Sequence, residues 1–536
     1  MKTIRMALVS VLGASLLAAQ VTYERIVDAD NEPGNWLTYS RSYDSQHYSP
    51  LDQIDKSNVN DLELKWVFQA DETTKFQSTP LVVDGVIYVT HSPNDIAAID
   101  AATGRVFWRY RHTIPEGISV CCGLVNRGLA ILGDSLFMAT IDGRLMSFDA
   151  KTGSIRWDVK IVDNKDGYAL TVSPLVVKDK VVIGTAGGEY GIRGFVDAYD
   201  AKTGKHAWRF WTIPGPGEPY HETWEGDSWK RGGGSVWVTG SYDPELNLMY
   251  WGTGNPAPDW NADVRPGDNL YTDSVIALNP DTGKLEWHFQ FTPHDWWDWD
   301  SVQIPVLVDM EFKGEQRKVI LWGNRNAFFY VLDRATGEFL LGKPFAYQTW
   351  AVGLDESGRP IVRDGMQPTP EGTKVYPSVQ GATNWYAPTW HPRTKLFYLS
   401  VWDRYPSIYH KGDATYVRGT RYPGSFPEGI YPDIVKDEEI GFGAIRAIEP
   451  ATGERKWEFR LTGVSESGLL STAGDLIFSG SKEGHFLAVD VDEGKLQWRI
   501  SLGSRMANSP ITYLAGGKQL ISVASGFGLF TFGLRE

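Results

Sequence analysis

The chain has only two cysteines in 536 residues, and they are adjacent: Cys121 and Cys122 in "SVCCGLVNRG". No C-x-x-C-H occurs, which excludes a c-type haem attached to this chain. Positive charge is also scarce. Lys and Arg number 52 against 66 Asp and Glu, for a net charge of −14. With no basic stripe, nucleic acid is excluded as a partner. Acidity of this size serves solubility and equally permits steering toward a basic protein. Beyond the first twenty residues there is no apolar run long enough to span a bilayer.

Those first residues read "MKTIRMALVSVLGASLLAAQ". Lys2 and Arg5 form a basic start, Met6 to Ala19 is a short apolar run, and small residues close it. This is the pattern of a secretory signal cleaved near Ala19 or Gln20; a membrane anchor is the alternative reading. The expected organisation is a signal at residues 1–20 and one domain over 21–536. Export into the periplasm places the mature chain in an oxidising compartment. An even cysteine count there suggests a bridge. Neighbouring Cα atoms lie about 3.8 Å apart, so a bridge between them is strained, and strain suggests function. Two free buried thiols are the other reading.

What the chain has in excess is tryptophan, 22 in all, together with 56 glycines. The tryptophans follow a repeat: an acidic residue or Asn, three residues, Gly, three residues, Trp. It occurs as "DAATGRVFW" ending at Trp108, "DAKTGSIRW" at Trp157, "DAKTGKHAW" at Trp208, "NPDTGKLEW" at Trp287, "EPATGERKW" at Trp457 and "DVDEGKLQW" at Trp498. "DRATGEFLL", ending at Leu341, is a degenerate copy, and "LELKWVF" around Trp66 an opening one, which makes eight units. Hairpin patterns such as "PLVVDGVIYVT" and "SPLVVKDKVVIGTA" precede the turn in each unit. Four strands per unit, repeated radially, make an all-β, eight-bladed propeller in which the repeated Trp packs between sheets. Long inserts between Trp208 and Trp287 and between Leu341 and Trp457 are expected on one face, near a site.

One stretch departs from this economy. "PHDWWDWDSV" places Asp295, Asp298 and Asp300 among Trp296, Trp297 and Trp299. Carboxylates crowded in an apolar setting must share a proton or neutralise a cation. In an extended segment Asp298 and Asp300 project to the same side and reach one cation together. Asp295 reads as a turn residue.

Adjacent cysteines followed by Val-Asn-Arg-Gly, within a Trp-repeat propeller behind a signal peptide, resemble the PQQ-dependent (quinoprotein) methanol and ethanol dehydrogenases over essentially the whole mature chain. The resemblance implies a Cys121–Cys122 disulfide against one face of pyrroloquinoline quinone (PQQ) and Trp237 against the other. It implies Arg127 and Thr171 on PQQ carboxylates, and Gly187 and Gly188 giving close approach. Gln77, Ser235, Asn384, Trp385 and Gly526 complete the cofactor contacts. Glu189, Asn255, Asp298 and Asp300 are the implied metal ligands, and Asp298 and Arg325 the catalytic pair. Calcium-using relatives carry a small or neutral residue at the place of Asp300, lanthanide-using relatives an aspartate. A trivalent hard ion takes oxygen ligands and more negative charge than calcium. Two positions depart from the family pattern: Gln77 stands for a Glu, and Glu466 with Ser467 for a bulky Trp of methanol oxidisers, which argues against a methanol-restricted pocket.

The implied activity is oxidation of a small primary alcohol to an aldehyde by metal-assisted hydride transfer to PQQ. The electrons would pass to a soluble external cytochrome c, and a homodimer is a possible assembly. The alternatives are a calcium-dependent PQQ alcohol or polyol dehydrogenase and a propeller scaffold without catalysis.

Overall fold

The computed structural model describes residues 20–71, 75–429 and 441–535. The proposed signal, but for Gln20, lies outside the described residues. Among the described residues, eight sheets of four antiparallel strands follow one another along the chain: 81–110, 130–160, 175–211, 241–290, 306–344, 389–461, 470–501 and a last one of mixed origin. That last sheet joins three C-terminal strands to Leu62–Gln69, which pairs antiparallel with Gly528–Leu534. The chain's two ends thus share one sheet, and the edge each would otherwise expose is paired. A short strand, Tyr48–Ser49, adds a fifth, parallel member to the sheet at 470–501.

The repeat has a local and a long-range role. Locally, the Oδ1 of Asp100 accepts the backbone N–H groups of Ala102 and Thr103, both at 3.0 Å. Asp149 does the same for Lys151 and Thr152. This is the Asx turn that short acidic side chains favour. At long range, six of the repeated Trp dock on the turn of the next sheet, whereas Trp498 packs on Phe486 and Phe532. The indole N–H of Trp66 donates to Ala101 O, that of Trp108 to Ala150 O and that of Trp157 to Ala201 O, at 3.1–3.2 Å. Trp208, Trp287 and Trp457 donate to Pro280 O, Arg334 O and Val491 O. The turn glycine is demanded twice over. Gly153 has φ +74°, and a Cβ there would lie 2.6 Å from the Trp108 ring. The degenerate copy keeps the arrangement with aliphatic side chains, Leu341 and Lys343 covering Gly453.

Strand order decides where a site can form. In a four-stranded antiparallel sheet the first and third turns share one end. The middle turn and the link to the next sheet share the other. The Asp-Gly repeat turns join third to fourth strands and so occupy one face. The links and middle turns gather on the opposite face, where the long inserts also emerge. The second insert carries two small extra sheets, Ala351–Leu354 with Pro360–Val362, and Thr373–Val375 with Ser407–Tyr409 and Pro427–Glu428. Among the described residues no helix is long and apolar enough to cross a membrane.

Gly153→Ala should lower stability by at least about 1–2 kcal/mol, the cost of a left-handed non-glycine residue, with more from displacing Trp108. Thermal denaturation is the measurement, and a midpoint equal to the wild type would refute the docking account.

Candidate active site

On the face opposite the repeat turns lies a cavity of about 310 Å³, at the small end of the usual range of ligand sites, roughly 300–1,000 Å³. Its walls come from links between sheets (residues 75–77, 121–127, 171, 235–237, 298–300, 379–386 and 466) and from middle turns (186–189, 259–260, 325 and 421). Of the residues singled out from the sequence, Gln77, Cys121, Cys122, Arg127, Thr171, Gly187, Glu189, Ser235, Trp237, Asp298, Asp300, Arg325, Asn384 and Trp385 line it. Gly188 and Asn255 sit just behind: a Cβ on Gly188 would lie 3.4 Å from Asn255 Oδ1. Gly526 is not brought there. It lines a neighbouring recess with Phe76, Ser504 and Arg505.

Cys121 and Cys122 form a disulfide, and Cys122 takes the left-handed conformation, φ +68°. Their sulfur atoms and a carboxylate oxygen of Glu189 lie within 4.8 Å of one another. Elsewhere in the cavity the Arg127 guanidinium is sandwiched between indoles, 4.6 Å from the Trp237 ring centre and 5.0 Å from that of Trp385. Its Nη1 donates to Thr171 Oγ1 at 2.8 Å. Burial lowers its pKa to about 10, still well above neutrality, so the group stays cationic.

The Trp-Asp stretch is not a strand, which corrects the expectation of an extended segment. Asp298 is left-handed, φ +62°. The tryptophans are the anchors. Trp297 and Trp299 stack at 4.6 Å and both meet Trp350 edge-on. Their indoles donate to Met366 O and Ser378 O. Asp295 is the turn residue expected of it: its two carboxylate oxygens accept the backbone N–H groups of Trp297 and Trp299. Burial pushes its pKa up to about 6, opposed by those two donors. With the indoles held in the core, Asp298 and Asp300 are turned to the cavity.

There the carboxylates meet cations and one another. Arg325 pairs with Asp300 Oδ2 at 3.2 Å, and donates to the Asp298 backbone carbonyl at 2.7 Å and to Asn384 Oδ1 at 3.2 Å. Asp300 Oδ1 accepts the Asn255 backbone N–H at 2.8 Å. Burial raises the pKa of Asp298 well above the carboxylate range, and Asp300 and Asp259 push it further. Glu189 is raised by burial, then by Asp300. Glu189 and Asp298 keep part of their surface open to the cavity. Such mutual repulsion marks a place prepared for positive charge.

Several lining residues carried no role in the sequence reading: Lys75, Asp259, Gln380, Tyr386 and Arg421. Asp259 lies inside "GTGNPAPDW", four residues after Asn255, a carboxylate that signal could have flagged. Arg421 comes from the long second insert, where no local pattern marks it. Of the two departures, Glu466 lines the cavity, whereas Ser467 is buried in hydrogen bonds to Gly468 O and Asn508 O.

Comparison with known proteins agrees with this architecture. The family profile described as "PQQ: Glucose/ethanol/alcohol dehydrogenase, beta-propeller domain" matches residues 36–342. A second profile, "Outer membrane protein assembly factor BamB", matches residues 441–529. The quinohemoprotein alcohol dehydrogenase ADH IIB of Pseudomonas putida is 40% identical over 96% of this chain and 76% of its own. The quinoprotein alcohol dehydrogenase PedH of Pseudomonas putida is 38% identical over 97% and 91%. Among solved structures, a europium-containing methanol dehydrogenase matches with a TM-score of 0.89 at 33% identity, covering 95% of this chain and 100% of that one. The chain belongs to the PQQ-dependent alcohol dehydrogenase family, oxidoreductases built on a β-propeller.

The bridge has a direct chemical test. Alkylation of the folded protein without reductant should label neither Cys121 nor Cys122, as read by mass spectrometry. Labelling of both would remove the disulfide from the cavity wall.

Proposed function

We propose that the protein is a periplasmic quinoprotein that oxidises primary alcohols to aldehydes with PQQ and a lanthanide ion, delivering electrons to a soluble cytochrome c. One observation carries the reading: a single cavity holds the vicinal disulfide, Trp237, the Arg325–Asp300 pair and the carboxylates of Glu189 and Asp298.

The residues suit these groups. Gln77 Oε1, Arg127 Nε, Arg325 Nε and Asp259 Oδ2 are buried without partners, and a buried polar atom left unpaired is costly. A flat aromatic polyanion answers this lining: indole and disulfide bracket a ring, and Arg127 and Thr171 receive a carboxylate. Gln77 adds an acceptor and two donors where a Glu would add charge. Glu189, Asp298 and Asp300, with the Asn255 amide, form an all-oxygen set for a hard cation. Asp300 already accepts from Asn255 N–H and Arg325, yet each carboxylate oxygen has a second lone pair for an ion. The europium-containing relative supports the lanthanide choice.

When bound, PQQ supplies the two-electron acceptor and the ion the Lewis acid, chemistry that no side chain offers. The chain's own residues do the rest. Asp298 would accept the alcohol hydroxyl proton, its carboxylate form being favoured when a cation is held by the neighbouring carboxylates. Arg325, held on three sides, keeps a positive charge fixed where negative charge develops. Trp237 and Trp385 keep water away from both. Glu466 in place of a bulky ring leaves room for alcohols larger than methanol. Export rests on the N-terminal pattern of residues 1–20.

Asp298→Asn should retain PQQ and lose turnover by about 10²–10⁴-fold, the usual worth of a general base. A near-normal rate at full metal content would place the base elsewhere. Asp300→Ala should abolish lanthanum-dependent activity while PQQ binding persists, measured on PQQ-loaded protein with lanthanum or calcium, a series of primary alcohols and an artificial acceptor. A wild type fully active with calcium and unimproved by lanthanum would defeat the lanthanide assignment.

A further inference from the structure

Asp259 is the acidic group of the cavity that the foregoing leaves without a task. It is 1% exposed and lines the same cavity as Glu189, Asp298 and Asp300. Its Oδ1 accepts from Asn255 Nδ2 at 2.8 Å. Its Oδ2 is buried with no partner. The segment bearing it is fastened by a fully buried guanidinium. Arg265 donates from Nε to Pro258 O at 3.0 Å and from Nη2 to Asp259 O at 3.3 Å. The same Nη2 reaches Asp295 O, so one cation ties the Asp259 loop to the Trp-Asp turn.

We propose that Asp259 is a fourth carboxylate of the ion site, orienting the Asn255 amide through Oδ1 and offering Oδ2 to the cation. This rests on the metal reading above and deepens it. The Asn255 amide has one free orientation that matters. With Nδ2 held by Asp259 and Pro256 O, Oδ1 is left toward Gly188, just behind the cavity wall. The second oxygen follows from charge. An anionic oxygen enclosed by protein with no donor is expensive; the cations that attract it are Arg421, which is exposed, and Arg265, whose Nε and Nη2 donate to backbone carbonyls and not to this carboxylate. Glu189 and Asp300 repel it, and it in turn repels Asp298. Four carboxylates lining one cavity suit a highly charged, oxygen-seeking ion. A trivalent ion gains more from the added charge than calcium does, because attraction scales with the ion's charge.

The test uses the full-length protein loaded with PQQ and stripped of metal. Europium and calcium are titrated by calorimetry, and europium luminescence lifetimes in light and heavy water count the waters on the ion. Asp259→Asn keeps an acceptor for Asn255 and removes the charge. It should weaken europium binding by at least about tenfold, since even residues behind a metal's ligands typically contribute 10–100-fold, and calcium binding by less. Asp259→Ala should add a water to bound europium. Wild-type europium affinity in Asp259→Asn, or an unchanged water count in Asp259→Ala, overturns the proposal while the ion site stands. If the wild type takes up neither ion, or Asp300→Ala binds europium as the wild type does, the metal reading fails and this inference falls with it. Melting curves on both variants separate lost affinity from lost fold.

Discussion

Everything at the cavity depends on a contact made on the far face, an indole lying over a glycine that has no side chain to hold it off. Each such contact joins one sheet to the turn of the next, with the indole N–H closing a hydrogen bond to a backbone carbonyl of that turn. The contact recurs at six of the sheets, and the ring closes where Leu62–Gln69 pairs with Gly528–Leu534. Cavity walls built from eleven separate connections can then meet within hydrogen-bond distances.

The rigidity of that frame permits an otherwise unfavourable cluster. Glu189, Asp259, Asp298 and Asp300 line one cavity and repel one another, with Arg325 paired to Asp300. Removing such groups from water costs several kcal/mol per ion before pairing. A flexible site would relax by turning the carboxylates outward. Here the indoles of Trp297 and Trp299 are committed to the core, Asp295 clamps the backbone between them, and Arg265 fastens the neighbouring loop. The unfavourable charge is therefore held in the cavity and not relieved by rotation into solvent, which is the condition the proposed cation site requires.

Much of this was legible in the chain itself. A Trp spaced four residues from a turn Gly, and eight from an acidic residue, contains its own explanation, since turn, glycine and indole are local in sequence and each has one physical use. The sheet number and the face carrying the connections follow from that period. Asp295 could be read as a turn residue because an Asx turn is also local. The cavity was less open to this reading. Cys121, Cys122, Asp298 and Asp300 stood out locally, but ten of its lining residues were found through the motifs of a family, not by a local rule. The backbone of the Trp-Asp stretch was misjudged, because alternation alone resembles a strand, and only the packing of Trp297 and Trp299 against Trp350 imposes the left-handed Asp298.

By itself, then, the sequence determined the repeat, the strand order, the turn chemistry and the presence of crowded carboxylates, all matters of near neighbours along the chain. Tertiary structure alone decided which groups share the cavity. It brought Asp259 and Arg421, 162 positions apart, to one carboxylate cluster, placed Gly526 in a separate recess, and turned Ser467 away while leaving Glu466 in the wall. The reason is geometric: a ring of sheets brings together residues at equal heights on different blades, and their separation along the chain carries no trace of that height.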